Sequence, residues 1–155
     1  MKIRLASTVD AESISNLTRS LVHHHISQDL SPEGRQSLDD ALSKEAICKY
    51  MAEDCRFHVA VGKDDNLLGI VAMRENRHLL LLFVADEAQG KGISRLLWET
   101  AKSASHNAGY NGTFTVSAAR DAIAIYKKFG FRVSGEETEE HGVVRTLMLK
   151  PAERP

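Results

Sequence analysis

Features that mark several protein classes are scarce in this sequence. It has two cysteines, Cys48 and Cys55, which we interpret as free, partly buried thiols of a reducing cytoplasm rather than as a disulfide. Neither has an obvious base beside it, so neither is a candidate nucleophile. No apolar stretch approaches the length of a membrane span, and the N-terminus lacks the apolar core of a signal peptide. These absences predict a cytoplasmic protein with no membrane contact.

The chain also lacks an excess of charge of either sign. Its formal net charge is −1, which argues against a nucleic-acid binder, because such proteins show a basic face. Apolar residues make up 43% and charged residues 26%, as in soluble globular proteins. With 155 residues and no repeat or linker, the chain suits one domain with its own core. We predict a single domain over residues 1–150 and a frayed tail over residues 151–155.

Apolar periodicity predicts helices that alternate with strands. Strands are expected over residues 2–7, 57–61, 67–74, 79–84, 113–117, 131–134 and 143–150. The run over 79–84 is wholly apolar, so we expect it in the sheet centre with both faces covered. The first helix should follow Thr8 or Asp10. The second should carry an apolar stripe of Leu38, Leu42, Ala46 and Tyr50. The third should span residues 94–108, with Leu96, Leu97, Ala101 and Ala104 on its inner face, and the fourth should span residues 121–129. This order predicts a mixed α/β sheet.

The most informative segment joins the leucine-rich strand to the third helix. The strand ends near Val84, and a glycine-containing turn, Gln89-Gly90-Lys91-Gly92, leads into the helix. The first N–H groups of a helix have no intrahelical acceptor and carry partial positive charge. Glycines allow close backbone approach to an anion, and Lys91 adds a cation. The segment therefore predicts a phosphate-binding turn.

Two common phosphate-binding motifs do not match this turn. A P-loop needs Gly-Lys-Ser/Thr, but Ile93 follows Gly92, and the dinucleotide pattern lacks its third glycine. The turn instead resembles the coenzyme A diphosphate loop of GNAT N-acetyltransferases, Gln/Arg-x-x-Gly-x-Gly/Ala. Gln89, the Gly90-Lys91 pair and Gly92 fit that pattern, and Ser94 stands where glycine or alanine is usual.

Two further segments resemble the same family, in its order and spacing. Ile3-Arg4 with Ala6, Asp10, Ile14 and Leu17 is similar to its opening strand and helix. The stretch from Ala122 through Tyr126 to Gly130-Phe131 is similar to its Ala-x-x-x-Tyr-x-x-x-Gly-Phe segment. The resemblance covers about residues 2–150 and implies a mixed, mostly antiparallel sheet of six to seven strands with helices on both faces. It also implies transfer of an acetyl group from acetyl-CoA to a primary amine, by direct attack in a ternary complex.

The resemblance assigns cofactor contacts along the strand and the turn. The strand residues would pair with the pantetheine arm, and an N–H near Val84 would face the thioester oxygen. Ala119 stands where relatives often carry an asparagine that touches the arm, so either Ser117 or Arg120 substitutes for the asparagine or the cofactor binds less tightly. The predicted acetyl-CoA-binding residues are Leu82, Phe83, Val84, Gln89, Gly90, Lys91, Gly92, Ile93, Ser94 and Ser117.

Catalytic candidates follow from the same resemblance. Tyr126 occupies the position of a tyrosine that protonates the departing thiolate. Many relatives carry an acid on the central strand, but Leu80 and Leu82 stand there in this chain. Proton acceptors for the amine are then sought in Glu75, His78 and His58, or in a water chain. His78 lies closest to the leucine strand and has a suitable unperturbed pKa.

The acceptor and the partners are less constrained by the sequence. Acidic residues cluster between Asp29 and Asp54 and again over residues 136–140. Such clusters favour a cationic acceptor, for example a polyamine, an aminoglycoside-like amine or an amino-acid-like amine. A solvated helix face and a solvated hairpin would explain the same clusters equally well. The adjacent residues His23, His24 and His25 do not converge on one ion, so no metal site is predicted. We expect an amine of a small molecule or peptide as partner, and we leave a homodimer open.

Two other functions compete with the enzymatic one. A non-catalytic acyl-CoA-binding regulatory module would explain the missing acid and Ala119, whereas Tyr126 argues against it. A nucleotide-phosphate binder could use the same turn.

Overall fold

The computed structural model describes residues 1–26 and 30–153, without the side chain of Ile26. Within these residues the chain forms a seven-stranded sheet in the order β1-β2-β3-β4-β5-β7-β6. The strands are β1 (Lys2–Leu5), β2 (Cys55–Val61), β3 (Leu67–Arg74), β4 (His78–Val84), β5 (Phe114–Ala118), β6 (Arg132–Glu140) and β7 (Val143–Lys150). The helices are α1 (Ala11–Leu21), α2 (Pro32–Ala41), α3 (Lys44–Ala52), α4 (Ile93–Asn107) and α5 (Ile123–Lys128).

The sheet is mostly antiparallel, as predicted. Only β4 and β5 pair in parallel, and β4 holds the middle place in the strand order. β2 pairs with β3, and β6 pairs with β7, both in antiparallel register. The β6 strand runs six residues beyond its predicted end at Ser134.

Helices cover both faces of the sheet, which follows from the alternation of side chains along β2 and β3. Val59, Ile70 and Ala72 face α1 and α3 in one core cluster. Their strand neighbours Ala60, Val71 and Met73 belong to a second cluster with residues of α4. Each face of the sheet therefore has its own apolar core.

The strands β4 and β5 separate soon after they meet. Their only pairs in the described chain are His78 with Thr115 and Leu79 with Val116. Leu79 is fully buried, whereas the rest of β4 is half-buried. Both faces of the strand are nevertheless covered, as predicted: Leu82 and Val84 pack against one core cluster, and Leu80 and Phe83 pack against the other. The partial exposure comes from the edge of the strand, where β5 has parted from it.

The single helix predicted around Leu38 to Tyr50 is in fact two helices. α2 ends at Ala41, and α3 begins after Ser43, whose hydroxyl accepts a hydrogen bond from the Ala46 N–H at 3.1 Å. Serine at such a position stabilises a helix start, because it satisfies an N–H that lacks an intrahelical acceptor. The sequence analysis missed this helix start at Ser43, because the apolar residues keep their helical spacing on both sides of it.

The inner face of α4 also differs from its prediction. Leu96 is 47% exposed, while the buried residues of this helix are Ile93, Leu97, Trp98, Ala101 and Ser105. Trp98 packs edge-on to Phe114 at a centroid distance of 5.3 Å, so the large indole, rather than Leu96, fills the space above the sheet.

The segment with three adjacent histidines and the C-terminal tail were also considered from the sequence. His23, His24 and His25 lie in a π-helical turn, Val22–Ile26, that continues α1. Asp29 of the first acidic cluster and the last two residues of the predicted tail lie outside the described residues. No helix in the described chain is long and apolar enough to cross a membrane.

Candidate active site

The turn between β4 and α4 presents an open backbone surface. After β4, a short 3₁₀ turn over Asp86–Ala88 leads to Gly90 and Gly92, whose φ angles are +78° and +76°. Side chains other than glycine rarely adopt this conformation. A Cβ at either position would meet nothing within 4 Å. The two glycines are therefore required by the backbone conformation and not by crowding within the chain.

The same turn exposes unused hydrogen-bond donors. Among the described residues, no backbone or side-chain acceptor binds the N–H groups from Gly90 to Arg95, and the first bond of α4 runs from the Leu96 N–H to the Gly92 oxygen at 3.1 Å. Unsatisfied N–H groups at a helix start bind anions well, because their dipoles point the same way. The predicted phosphate-binding turn thus has the geometry that its function needs.

A cleft of about 500 Å³ begins at this turn and follows the outer end of β4. We call it the first cleft. Its lining comprises Leu21, His25, Leu82, Phe83, Val84, Ala88, Gln89, Gly90, Gly92, Ile93, Ser94, Ala119, Asp121, Ala122, Ile125 and Tyr126. Anion-binding donors lie at one end, an unpaired strand edge in the middle and Tyr126 along the wall. These residues fit coenzyme A, which carries a diphosphate followed by an arm with amide groups.

A second cleft, of about 170 Å³, adjoins the first on the other side of β4. The two clefts share Leu82, Phe83, Ala119, Asp121, Ala122 and Tyr126. Leucines from the α2 region and residues of β7 close the second cleft. A molecule in each cleft would therefore meet its neighbour at the gap between β4 and β5.

The structure brings most of the predicted cofactor contacts together. Of the ten residues predicted, eight line the first cleft. Lys91 is exposed in the turn and is not part of the lining, and Ser117 lines the second cleft instead. Arg120, the other suggested substitute for asparagine, forms an ion pair with Glu137.

Tyr126 is buried at the boundary between the clefts. It is 8% exposed, and its ring meets those of Phe129 and Phe131 at centroid distances of 6.3 and 5.8 Å. Burial raises the pKa of its hydroxyl to about 12, although the charge of Arg145 acts in the opposite direction. The phenol therefore stays protonated at neutral pH and is able to donate a hydrogen bond.

The structure does not bring Glu75, His78 and His58 to either cleft. Glu75 is exposed in the β3–β4 turn with φ of +52°. His78 lies at the closed end of the strand gap, with its Nδ1 2.7 Å from the Thr115 hydroxyl, and burial together with Arg74 lowers its pKa to about 4. His58 is buried within β2, where desolvation lowers its pKa. None of the three therefore lies in the wall of a cleft in which the amine would bind.

Sequence reasoning missed residues that distant parts of the chain supply to the first cleft. His25 lines it and binds Asp86, with its Nε2 2.6 Å from the carboxylate. Gln89 donates to the Val84 carbonyl at 3.2 Å, which ties the turn to the strand end. Asp121 lines both clefts. No local signal identifies the contact of His25 with Asp86, because 61 residues separate them.

Comparison with known proteins supports the same assignment. A family model described as an acetyltransferase (GNAT) domain matches residues 26–151. A GCN5-related N-acetyltransferase from Rhodopseudomonas palustris matches with a TM-score of 0.83 at 16% identity, covering 97% of this chain and 94% of that one. The PaiA N-acetyltransferase of Thermoplasma acidophilum, solved with coenzyme A, matches with a TM-score of 0.80 at 23% identity, covering 97% and 99%.

A third similar structure is a spermidine N-acetyltransferase from Vibrio cholerae. Its TM-score is 0.67 at 21% identity, covering 97% of this chain and 95% of that one. Comparison with curated protein sequences gave no significant match. At these identities the solved structures establish the fold, while the family model covers most of the sequence. The chain therefore belongs to the GNAT family and is an acetyl-CoA-dependent N-acetyltransferase.

Proposed function

We propose that this enzyme acetylates a primary amine of a small molecule or peptide by direct attack within a ternary complex. The observation that carries the proposal is the meeting of the two clefts at the β4–β5 gap, beside Tyr126. One cleft suits acetyl-CoA and the other the amine. Neither cysteine lines a cleft in the described chain, which argues for direct transfer over an acyl-enzyme.

The donor side rests on the turn and the strand end. The free N–H groups from Gly90 to Arg95 would bind the diphosphate, and Leu82–Val84 would hold the pantetheine arm. When bound, acetyl-CoA supplies an acyl group activated as a thioester. We infer that a backbone N–H near Val84 stabilises the thioester oxygen as it gains negative charge.

The transfer forms one bond and breaks another. The lone pair of the neutral amine attacks the thioester carbon, a C–N bond forms, and the C–S bond breaks with its electron pair going to sulfur. One proton leaves the nitrogen and one reaches the sulfur, so the products are an amide and free coenzyme A. The protein therefore needs a donor near sulfur and a route for the amine proton.

We propose Tyr126 as the donor near sulfur. With a phenol pKa of about 12 and a thiol near 8.5, complete proton transfer would be uphill by about 5 kcal/mol. A hydrogen bond from the buried hydroxyl stabilises the departing thiolate without that cost, and the thiolate then takes its proton as it leaves the cleft. Tyr126 thus acts as a hydrogen-bond donor more than as a full acid.

The amine must be deprotonated before it attacks. An amine with a pKa near 10.4 is neutral about once in 2,500 molecules at pH 7, which corresponds to about 4.6 kcal/mol. In the described chain, Asp121 is the one carboxylate that lines both clefts, and we propose that it positions the ammonium and passes a proton to solvent. Glu75 and His78 remain sequence predictions that would need a water chain.

Measurement of thiol release tests this function. Acetyl-CoA is incubated with the protein and an amine panel that includes a polyamine, since one structural relative is a spermidine N-acetyltransferase. We expect amine-dependent release of free thiol and an acetylated product of matching mass. A protein that binds acetyl-CoA but releases no thiol with any amine would instead be a non-catalytic acyl-CoA-binding module. Location in the cytoplasm, one domain over residues 1–150 and a homodimer stay predictions.

A further inference from the structure

The second cleft contains an arginine that forms no ion pair with any residue that the structure describes. Arg145 lies on β7, half-buried, and lines this cleft. Within residues 1–26 and 30–153, its guanidinium forms no ion pair and donates no hydrogen bond. Its charge lowers the pKa of Tyr126, so the guanidinium lies within electrostatic range of that hydroxyl. A half-buried, unpaired cation beside an active site is a natural contact for an anionic group.

The other charges near this cleft are differently placed. Arg120 also lines it, but Glu137 from β6 binds that guanidinium through both carboxylate oxygens. Asp121 is the single acid of the lining in the part of the chain that the structure describes. The acidic residues of the described chain between residues 30 and 54 and over residues 136–140 therefore do not line the second cleft. The lining does not support the expectation that these acids attract a polycationic acceptor.

Apart from Ser117 and the Tyr126 hydroxyl, the remaining walls of the second cleft are apolar. Leu30, Leu42 and Val143 are each less than 10% exposed and pack as one cluster with Leu38. Leu80 and Leu82 add to the lining from β4. Such a surface favours an uncharged hydrocarbon group, because each methylene moved out of water contributes to binding.

We propose that the acceptor is an amine that also carries a carboxylate and an apolar group, with the carboxylate bound by Arg145. This inference rests on the proposed function and specifies its substrate class. The amine lies toward Asp121, where the second cleft meets the first, and the apolar group lies against the leucines. Polyamines and aminoglycosides, which carry several positive charges and no carboxylate, fit this arrangement poorly.

Paired acceptors test the proposal. Leucine and phenylalanine are compared with leucinamide and phenylalaninamide, which keep the amine and the side chain but lack the carboxylate, and with putrescine. We expect kcat/KM for the acids to exceed that for the amides by about 10-fold or more, the range of one charge-assisted contact. R145Q should raise KM for the acids and remove the preference, and R145K should restore part of it.

Two controls separate recognition from damage to the fold. Arg132→Gln removes an exposed arginine of the same hairpin that lines neither cleft and should leave the preference intact. Calorimetry should show coenzyme A binding within about 2-fold of the wild-type in R145Q, whereas binding of the acids to the coenzyme-saturated protein weakens by about 10-fold.

The outcomes are distinguishable. Equal or better turnover of the amides or putrescine, or an unchanged preference in R145Q, would overturn the role of Arg145 and leave amine acetylation standing. Absence of thiol release with every amine would overturn the proposed function and this inference together.

Discussion

Gly34 of α2 and Gly142 of the β6–β7 turn lie in direct backbone contact. A Cβ on Gly34 would overlap the Gly142 carbonyl oxygen, and a Cβ on Gly142 would lie 2.5 Å from the Gly34 nitrogen. Ser31 fixes the start of α2 by accepting the Gly34 N–H at 3.0 Å. This contact holds α2 against the hairpin, so that Leu38 and Val143 can close the second cleft.

Substitution of Gly34 by alanine should therefore separate α2 from the hairpin. The backbone oxygen cannot move aside as a flexible side chain would, so we expect a loss of about 1–3 kcal/mol in unfolding free energy. For a chain of this size each kcal/mol lowers Tm by about 2–4 °C. Thermal denaturation measures the shift. The control is Gly135→Ala, where a Cβ would meet nothing within 4 Å; equal shifts in both variants would refute the contact.

Gly92→Ala should weaken coenzyme A binding more than it weakens the fold. Alanine disfavours the φ of +76°, and its methyl group would occupy space that is open in the turn and lines the first cleft. Gly109→Ala is a matched control, because Gly109 also has a positive φ and open surroundings but lines neither cleft. By calorimetry we expect Kd to rise about 10-fold or more in G92A and about 2-fold or less in G109A. Similar Kd values in the two variants would show that the turn does not bind the cofactor.

Tyr126→Phe should reduce kcat by about 10- to 1,000-fold. The ring contacts with Phe129 and Phe131 persist, so Tm and the Kd for coenzyme A should change little. Because the pKa of Tyr126 is about 12, the hydroxyl of the wild-type stays protonated, and its ionisation should cause no loss of kcat between pH 7 and 10. Steady-state kinetics over that range test both statements. Wild-type turnover in the variant would exclude the hydroxyl from catalysis.

His78 should make stability depend on pH. Its folded pKa of about 4 lies below the ordinary value of 6.5, so protonation favours the unfolded chain. The stability that neutral His78 provides is fully present above pH 6.5 and is lost as pH falls toward 4. Urea denaturation between these values should show a shallower decline in His78→Gln than in the wild-type.

Two measurements complete the test of His78. His141→Gln removes an exposed histidine and should leave the slope unchanged. The kcat of His78→Gln reports on the catalytic role that the sequence suggested. A large fall in kcat with an unaltered pH slope would favour catalysis over the structural role.

Part of the fold and the cofactor turn could be predicted because their signals are local. The apolar runs of β2, β3 and β4 and the glycines after β4 lie within short stretches of sequence, and backbone geometry converts each into structure. The split between α2 and α3 was missed because the apolar stripe continues with helical spacing on both sides of Ser43. Leu96 was misplaced because the apolar stripe of α4 does not show that Trp98 fills the space above the sheet.

The sequence by itself determined most of the elements, the antiparallel pairs β2–β3 and β6–β7, and the glycine-containing turn before α4. Only the tertiary structure decided where β4 and β5 part and that His78 faces Thr115 instead of a cleft. It also decided that Arg145 lines one cleft together with Leu38 and Tyr126. The reason is physical. Contacts within one helix or strand follow from the regular repeat of its backbone. A cleft forms between segments that are far apart in the chain. Whether a charged side chain in it has a partner depends on which distant groups the packing brings near.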